Sequence, residues 1–118
     1  MKRDLCERTF GFAVRIVRLC RSLEERPGVG RTLGRQLLRS GTSIGANAEE
    51  AQAGQSRADF ISKYSIASKE ARETNYWLRL LVSTDVVPEA QLRDLLDESN
   101  QLIAILTTLV KRAKANAQ

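Results

Sequence analysis

Histidine is absent from the 118 residues, and with it go Ser-His-Asp and Cys-His nucleophile systems and the zinc sites that need imidazole. The Glu-x-x-His pairs that hold di-iron centres inside helical bundles are excluded for the same reason. Aromatic residues make up only 5% and proline occurs twice, which argues against a sheet built on aromatic and β-branched pairs. Long apolar runs are missing too. The longest, Leu102 to Val110, is about half of what spans a bilayer. The opening Met-Lys-Arg-Asp-Leu-Cys-Glu-Arg is charged and no apolar stretch follows it, so no secretory signal is read there and the expected compartment is the cytoplasm. Cysteine occurs only as Cys6 and Cys20. On one helix these share a face ~21 Å apart, too far for a disulfide, and buried thiols acting as small hydrophobes are expected.

What is present suits helices. Apolar residues reach 42% and charged residues 28%, a balance of neither a membrane segment nor a disordered chain. The length fits a single domain, residues 1–118. No repeat or low-complexity tract interrupts it.

Four amphipathic segments follow from the spacing. From Asp4 to about Leu23, the side chains Leu5, Phe12, Ile16, Leu19 and Leu23 recur at helical intervals, and Cys6, Thr9, Ala13, Val17 and Cys20 widen that face beyond what a lone surface helix needs. Arg26-Pro-Gly ends it. A second helix begins around Val29–Arg31, with Leu33, Leu37, Ser40, Ile44, Asn47 and Ala51 on one line. Its middle, Ser40 to Ala48, has very little bulk. Gly41 and Gly45 each cost about 1 kcal/mol relative to Ala there, and close approach of a second backbone is the expected return. A phosphate-binding loop is rejected, since no Gly-Lys-Ser/Thr follows and no strand precedes. After Gly54, Ser56 and Asp59 have the form of a helix start. The third helix carries Phe60, Tyr64, Ala67, Ala71, Thr74, Leu78 and Leu81 inward. Pro88 is expected as the first helical residue of the fourth, whose inner stripe reads Leu92, Leu95, Leu96, Ser99, Ile103, Leu106 and Val110. Short links make neighbours antiparallel, so the expected fold is all-α, an up-down-up-down four-helix bundle.

Within helices two and three a longer text stands out: Gln36-Leu-Leu-Arg-Ser-Gly-Thr-Ser-Ile-Gly-Ala-Asn47, Glu50-Ala51, Asp59-Phe-Ile61 and Lys69-Glu-Ala-Arg-Glu-Thr-Asn-Tyr-Trp-Leu78. It resembles the bacterial four helix bundle protein family, encoded in intervening sequences of large-subunit ribosomal RNA and similar to the accessory variability determinant of diversity-generating retroelements. The match is strongest over residues 33–82, and helices one and four agree in pattern. The resemblance implies an antiparallel bundle that assembles into homopentameric rings. The retroelement accessory protein binds nucleic acid and a reverse transcriptase. No catalytic residues come with the resemblance.

Two sets of candidate functional residues emerge. Ile66, Trp77 and Leu80 on the third helix, with Leu102, Ile105 and Leu109 on the fourth, form second apolar stripes that one core does not use. They are the expected oligomer interface. The cations are mostly arginine, fourteen of nineteen, the residue whose planar fork grips phosphate. Residues 1–39 hold ten of those cations against four acids, a basic third that points to an acidic partner. Arg8, Arg15 and Arg18 on helix one and Arg31, Arg35 and Arg39 on helix two form the candidate nucleic-acid surface. A ring would multiply such contacts, and the binding would be sequence-independent and salt-sensitive.

Arg39, Glu50, Glu70, Arg72 and Glu73 could be drawn as a carboxylate cluster, but arginines interleaved at helical spacing point to interhelical ion pairs. Asn47 is expected as a buried amide tying helices together. No cofactor, metal or enzymatic activity is expected. The expected partners are further copies of the chain, most simply five in all, and RNA or DNA. A scaffold for another protein is the alternative, and a membrane is not expected.

Overall fold

The computed structural model describes residues 2–117, with side chains from Asp4. Four α-helices account for nearly all of it: α1 Lys2–Glu24, α2 Val29–Ala53, α3 Arg57–Ser83 and α4 Glu89–Asn116. Helices of 23 to 28 residues laid side by side give a rod of 48 × 20 × 20 Å. α1 packs on α2, α2 on α3 and α3 on α4 along their lengths, whereas α1 and α4 meet only sparsely.

The turns follow from local chemistry. Gly28 adopts φ 96° between α1 and α2, a conformation that glycine enters without steric cost. The Ser56 hydroxyl accepts the Asp59 amide at 3.0 Å, as the cap pattern predicted. Pro88 has ψ 143° and precedes α4 rather than opening it, one residue later than expected. The Val86 and Val87 amides return to the Leu81 carbonyl at 3.0 and 3.2 Å. Arg26 donates to the Val86 carbonyl, so the two turns at that end are tied together.

The α1–α2 contact is built on missing side chains. A Cβ on Gly34 would lie 3.0 Å from Leu23 Cβ, on Gly41 2.7 Å from Ile16 Cγ2, and on Gly45 3.2 Å from the Thr9 backbone. Partner numbers fall by seven as α2 advances, the signature of antiparallel helices in close approach. Across α2–α3, Thr74 Oγ1 lies 2.9 Å from Ser40 Oγ and 2.8 Å from the Glu70 carbonyl. Across α3–α4, Asn75 Nδ2 donates to Ser99 Oγ at 2.9 Å and to Asn100 Oδ1 at 3.2 Å. Buried polar groups cost free energy unless paired, and every buried side-chain nitrogen or oxygen among the described residues is paired.

Two expectations are corrected here. The buried side of α4 runs through Leu92, Leu95, Ser99, Leu102, Leu106 and Ala113, while Leu96, Ile103 and Val110 are half-buried. Leucine or isoleucine stands at both 102 and 103, so the stripe's direction was ambiguous by one residue. The Asn75–Ser99 contact shows which side α3 occupies. Asn47 is only half-buried and donates to the Ser43 carbonyl and hydroxyl of its own helix at 2.9 and 3.0 Å. It therefore ties no helices together, and Ser40, Thr74, Asn75 and Ser99 do that instead.

Candidate functional site

The six candidate arginines do not share one surface, because their partners lie on different helices. Arg8 reaches across to α4, donating from Nη2 and Nε to the Glu98 carboxylate at 2.7 and 3.0 Å and to Gln101 at 3.1 Å. Arg39 turns the other way, toward α3, where it meets Glu70 at 3.4 Å and Glu73. Arg35 pairs with Glu24 at 2.7 Å, and Arg31 lies 3.6 Å from the same carboxylate. The Arg35 hydrogen bond holds the Glu24 carboxyl below its ordinary range. Arg15 and Arg18 remain. Both are exposed on α1, and their side chains make no ion pair or hydrogen bond among the described residues.

The polar cluster around the glycine-rich stretch is a set of ion pairs and hydrogen bonds. Glu73 also accepts the Trp77 indole N–H at 3.0 Å, and Arg72 donates to Ser68 at 2.9 Å. Glu50 is exposed on α2. Among the described residues, no three His, Cys, Asp or Glu side chains gather as metal ligands would. No described helix is long and apolar enough to cross a membrane.

The apolar candidates divide as well. Leu102 is 0% exposed and belongs to the core rather than to an interface, for the reason given by the orientation of α4. Trp77, Leu80, Ile105 and Leu109 are half-buried. Ile105 and Leu109 line a groove of about 580 Å³ with Phe60, Arg57 and Arg112. Ile66 is 37% exposed on the outer side of α3, and Tyr76, about 15 Å further along the same helix, is 47% exposed.

The exposed apolar surface of α1 corrects the sequence reading, since Val17 was expected to widen the inner face and is uncovered instead. Phe10 is 63% exposed, and Val17 and Leu38 are also uncovered. They line the outer seam between α1 and α2. Val17, Cys20, Gly34 and Leu38 enclose a hollow of about 420 Å³ at one end. Cys6, Phe10 and Glu49 surround a second near the other. The sequence carried a signal for it: Cys6, Phe10, Ala13, Val17 and Cys20 step by four, three, four and three, a second heptad stripe beside the inner one. Within the seam the Cys20 thiol donates to the Gly34 carbonyl at 3.2 Å, and burial pushes its pKa up to about 11.

This geometry has relatives. The sequence profile of the 23S rRNA-intervening sequence protein family matches residues 1–108. A crystal structure of a protein of unknown function from the S23 ribosomal protein family of Bacteroides thetaiotaomicron is similar, with 43% identity and a TM-score of 0.86 over 94% of this chain and 99% of that one. No functionally curated protein matches. The chain belongs to the 23S rRNA-intervening sequence protein family.

Proposed function

We propose that this member of the family is a non-enzymatic bundle that works as a homo-oligomer of five subunits. The observation that carries the self-association is the exposure of Phe10, Val17, Leu38, Ile66 and Tyr76, and the number five is what the resemblance over residues 33–82 implies. Large side chains left in water on a chain whose core is otherwise filled mark association surfaces when they group together. The same chain lacks histidine, so the commonest proton-transfer and nucleophile chemistry has no carrier. The proposed setting is the cytoplasm, where the two free thiols stay reduced. Light scattering on the full chain tests the reading. The expected mass is about 66 kDa, five chains of 13.2 kDa; a single-chain mass at micromolar concentration would overturn it.

A second reading adds nucleic acid, favoured by Arg15 and Arg18, whose guanidinium groups have no partner among the described residues. Repeated around an oligomer, these two exposed arginines on α1 of each subunit give a weak, multivalent phosphate-binding surface. The family's name associates these proteins with 23S rRNA, which makes RNA the first probe. A mobility-shift titration should show binding at about 50 mM salt that is largely lost by about 200 mM. An Arg15→Glu, Arg18→Glu variant that binds as well as the parent would remove this reading and leave the protein-scaffold alternative.

A further inference from the structure

We propose that a second copy of this chain docks head to tail, the outer face of its α3 covering the α1–α2 seam of the first. The inference rests on the self-association reading and specifies the two surfaces that meet. Five of the six most exposed large apolar side chains fall into two patches: Phe10, Val17 and Leu38 on the seam, and Ile66 and Tyr76 on α3. Neither patch alone matches itself, since the first is a concave seam with hollows at both ends and the second a convex helix face.

The two patches match in height along the rod. Gly41 packs on Ile16 and Ser40 bonds Thr74, which places Val17 and Leu38 level with the turn that carries Tyr76. Gly45 packs on Thr9, between the Ser40–Thr74 contact and the Gln52–Tyr64 hydrogen bond. Phe10 is therefore level with the turn that carries Ile66 and Lys69. A neighbouring copy displaced sideways, with its axis parallel, sets Ile66 against Phe10 and Tyr76 against Val17 and Leu38.

Charge at the Phe10 end favours the same register. Glu49 flanks Phe10, whereas exposed Lys69 stands one turn from Ile66 and makes no ion pair with another described residue. The patches lie on either side of α2, so each contact turns one copy relative to the last. A heterologous contact that turns in this way generates a ring when the successive turns sum to a full circle. The half-buried Trp77 and Leu80 adjoin the α3 patch and would lose their remaining exposure there.

The test uses two full-length variants, each defective in one surface, followed by light scattering with helicity checked by circular dichroism. Phe10→Glu and Ile66→Glu should each give a single-chain mass of 13.2 kDa with unchanged helicity. Mixed together they should form a capped pair of about 26 kDa, two such chains, because each variant keeps the surface that the other lacks. Val17→Glu replaces Phe10→Glu should the latter lose helicity. Lys69→Glu should weaken assembly and Glu49→Lys in the same chain should restore it. If the parent is an oligomer and both single variants keep its mass, these surfaces are wrong while self-association stands. A mixture that stays monomeric overturns the head-to-tail pairing. A monomeric parent overturns both the pairing and the self-association reading.

Discussion

Gly41 of α2 lies so close to Ile16 of α1 that a Cβ on the glycine would stand 2.7 Å from Cγ2 and 2.9 Å from Cγ1 of the isoleucine. Ile16 is fully buried, so it has nowhere to retreat. The helices approach because this side chain is missing, and the same relation recurs at Gly34 with Leu23 and at Gly45 with Thr9.

Replacing Gly41 by alanine should therefore destabilise the protein although alanine is the better helix former. Overpacking costs about 1–3 kcal/mol against a propensity gain of about 1 kcal/mol, and a net loss of about 1 kcal/mol is expected in urea unfolding. Gly11 is the control. It lies inside α1 with nothing within 4 Å of its would-be Cβ, and Gly11→Ala should stabilise by about 0.5–1 kcal/mol. Equal effects at the two sites would show that the close approach carries no energetic weight.

Asn75 is the polar hinge of the α3–α4 contact. Its amide nitrogen serves Ser99 and Asn100, and its oxygen accepts Arg79 Nε at 2.9 Å. Asn75→Ala removes all three bonds at a buried position, so a loss of about 1–3 kcal/mol is expected. Asn75→Leu should fare no better, since Ser99 would lose its partner on α3. Thermal unfolding of both variants checks this.

The sparse α1–α4 edge relies on the Arg8–Glu98 pair, whose side chains are partly exposed. Its coupling energy in a double-mutant cycle with Arg8→Ala and Glu98→Ala should be about 0.5–1 kcal/mol, falling as salt is raised. A coupling of several kcal/mol would mean that the edge is far more occluded than it looks.

The two thiols should behave differently. Cys6 is half-buried and Cys20 buried, so a chromogenic disulfide reagent near pH 8 should label Cys6 first and Cys20 only after unfolding or opening of the seam. Because folding raises the Cys20 pKa from 9.0 to about 11 through burial, its contribution to stability is complete below about pH 9 and is lost as pH rises toward 11. A Cys20→Ala variant should show a flatter decline of stability across that range.

Sequence by itself determined a great deal here. The helix count, the turns at Pro27-Gly28 and Ser56, the Leu5-Phe12-Ile16-Leu19-Leu23 line of α1 and the inward face of α3 were all written in spacing and caps, because local chain chemistry decides them. The role of Gly41 and Gly45 as contact points could be read from their cost alone, and the long text over residues 33–82 placed the family. Tertiary structure decided which direction each face looks. Leu102 went to the core and Ile103 aside because one residue is a rotation of about 100°, and only the position of α3 chooses between them. Arg8 and Arg39 proved to be paired with carboxylates on α4 and α3, which only the packing of those helices brings near, and Arg31 and Arg35 with Glu24 across the α1–α2 turn; Arg15 and Arg18 make no such pair among the described residues. Phe10 stayed in water because, two residues before buried Phe12, it stands on nearly the opposite side of α1, and no neighbouring helix of the same chain covers that side.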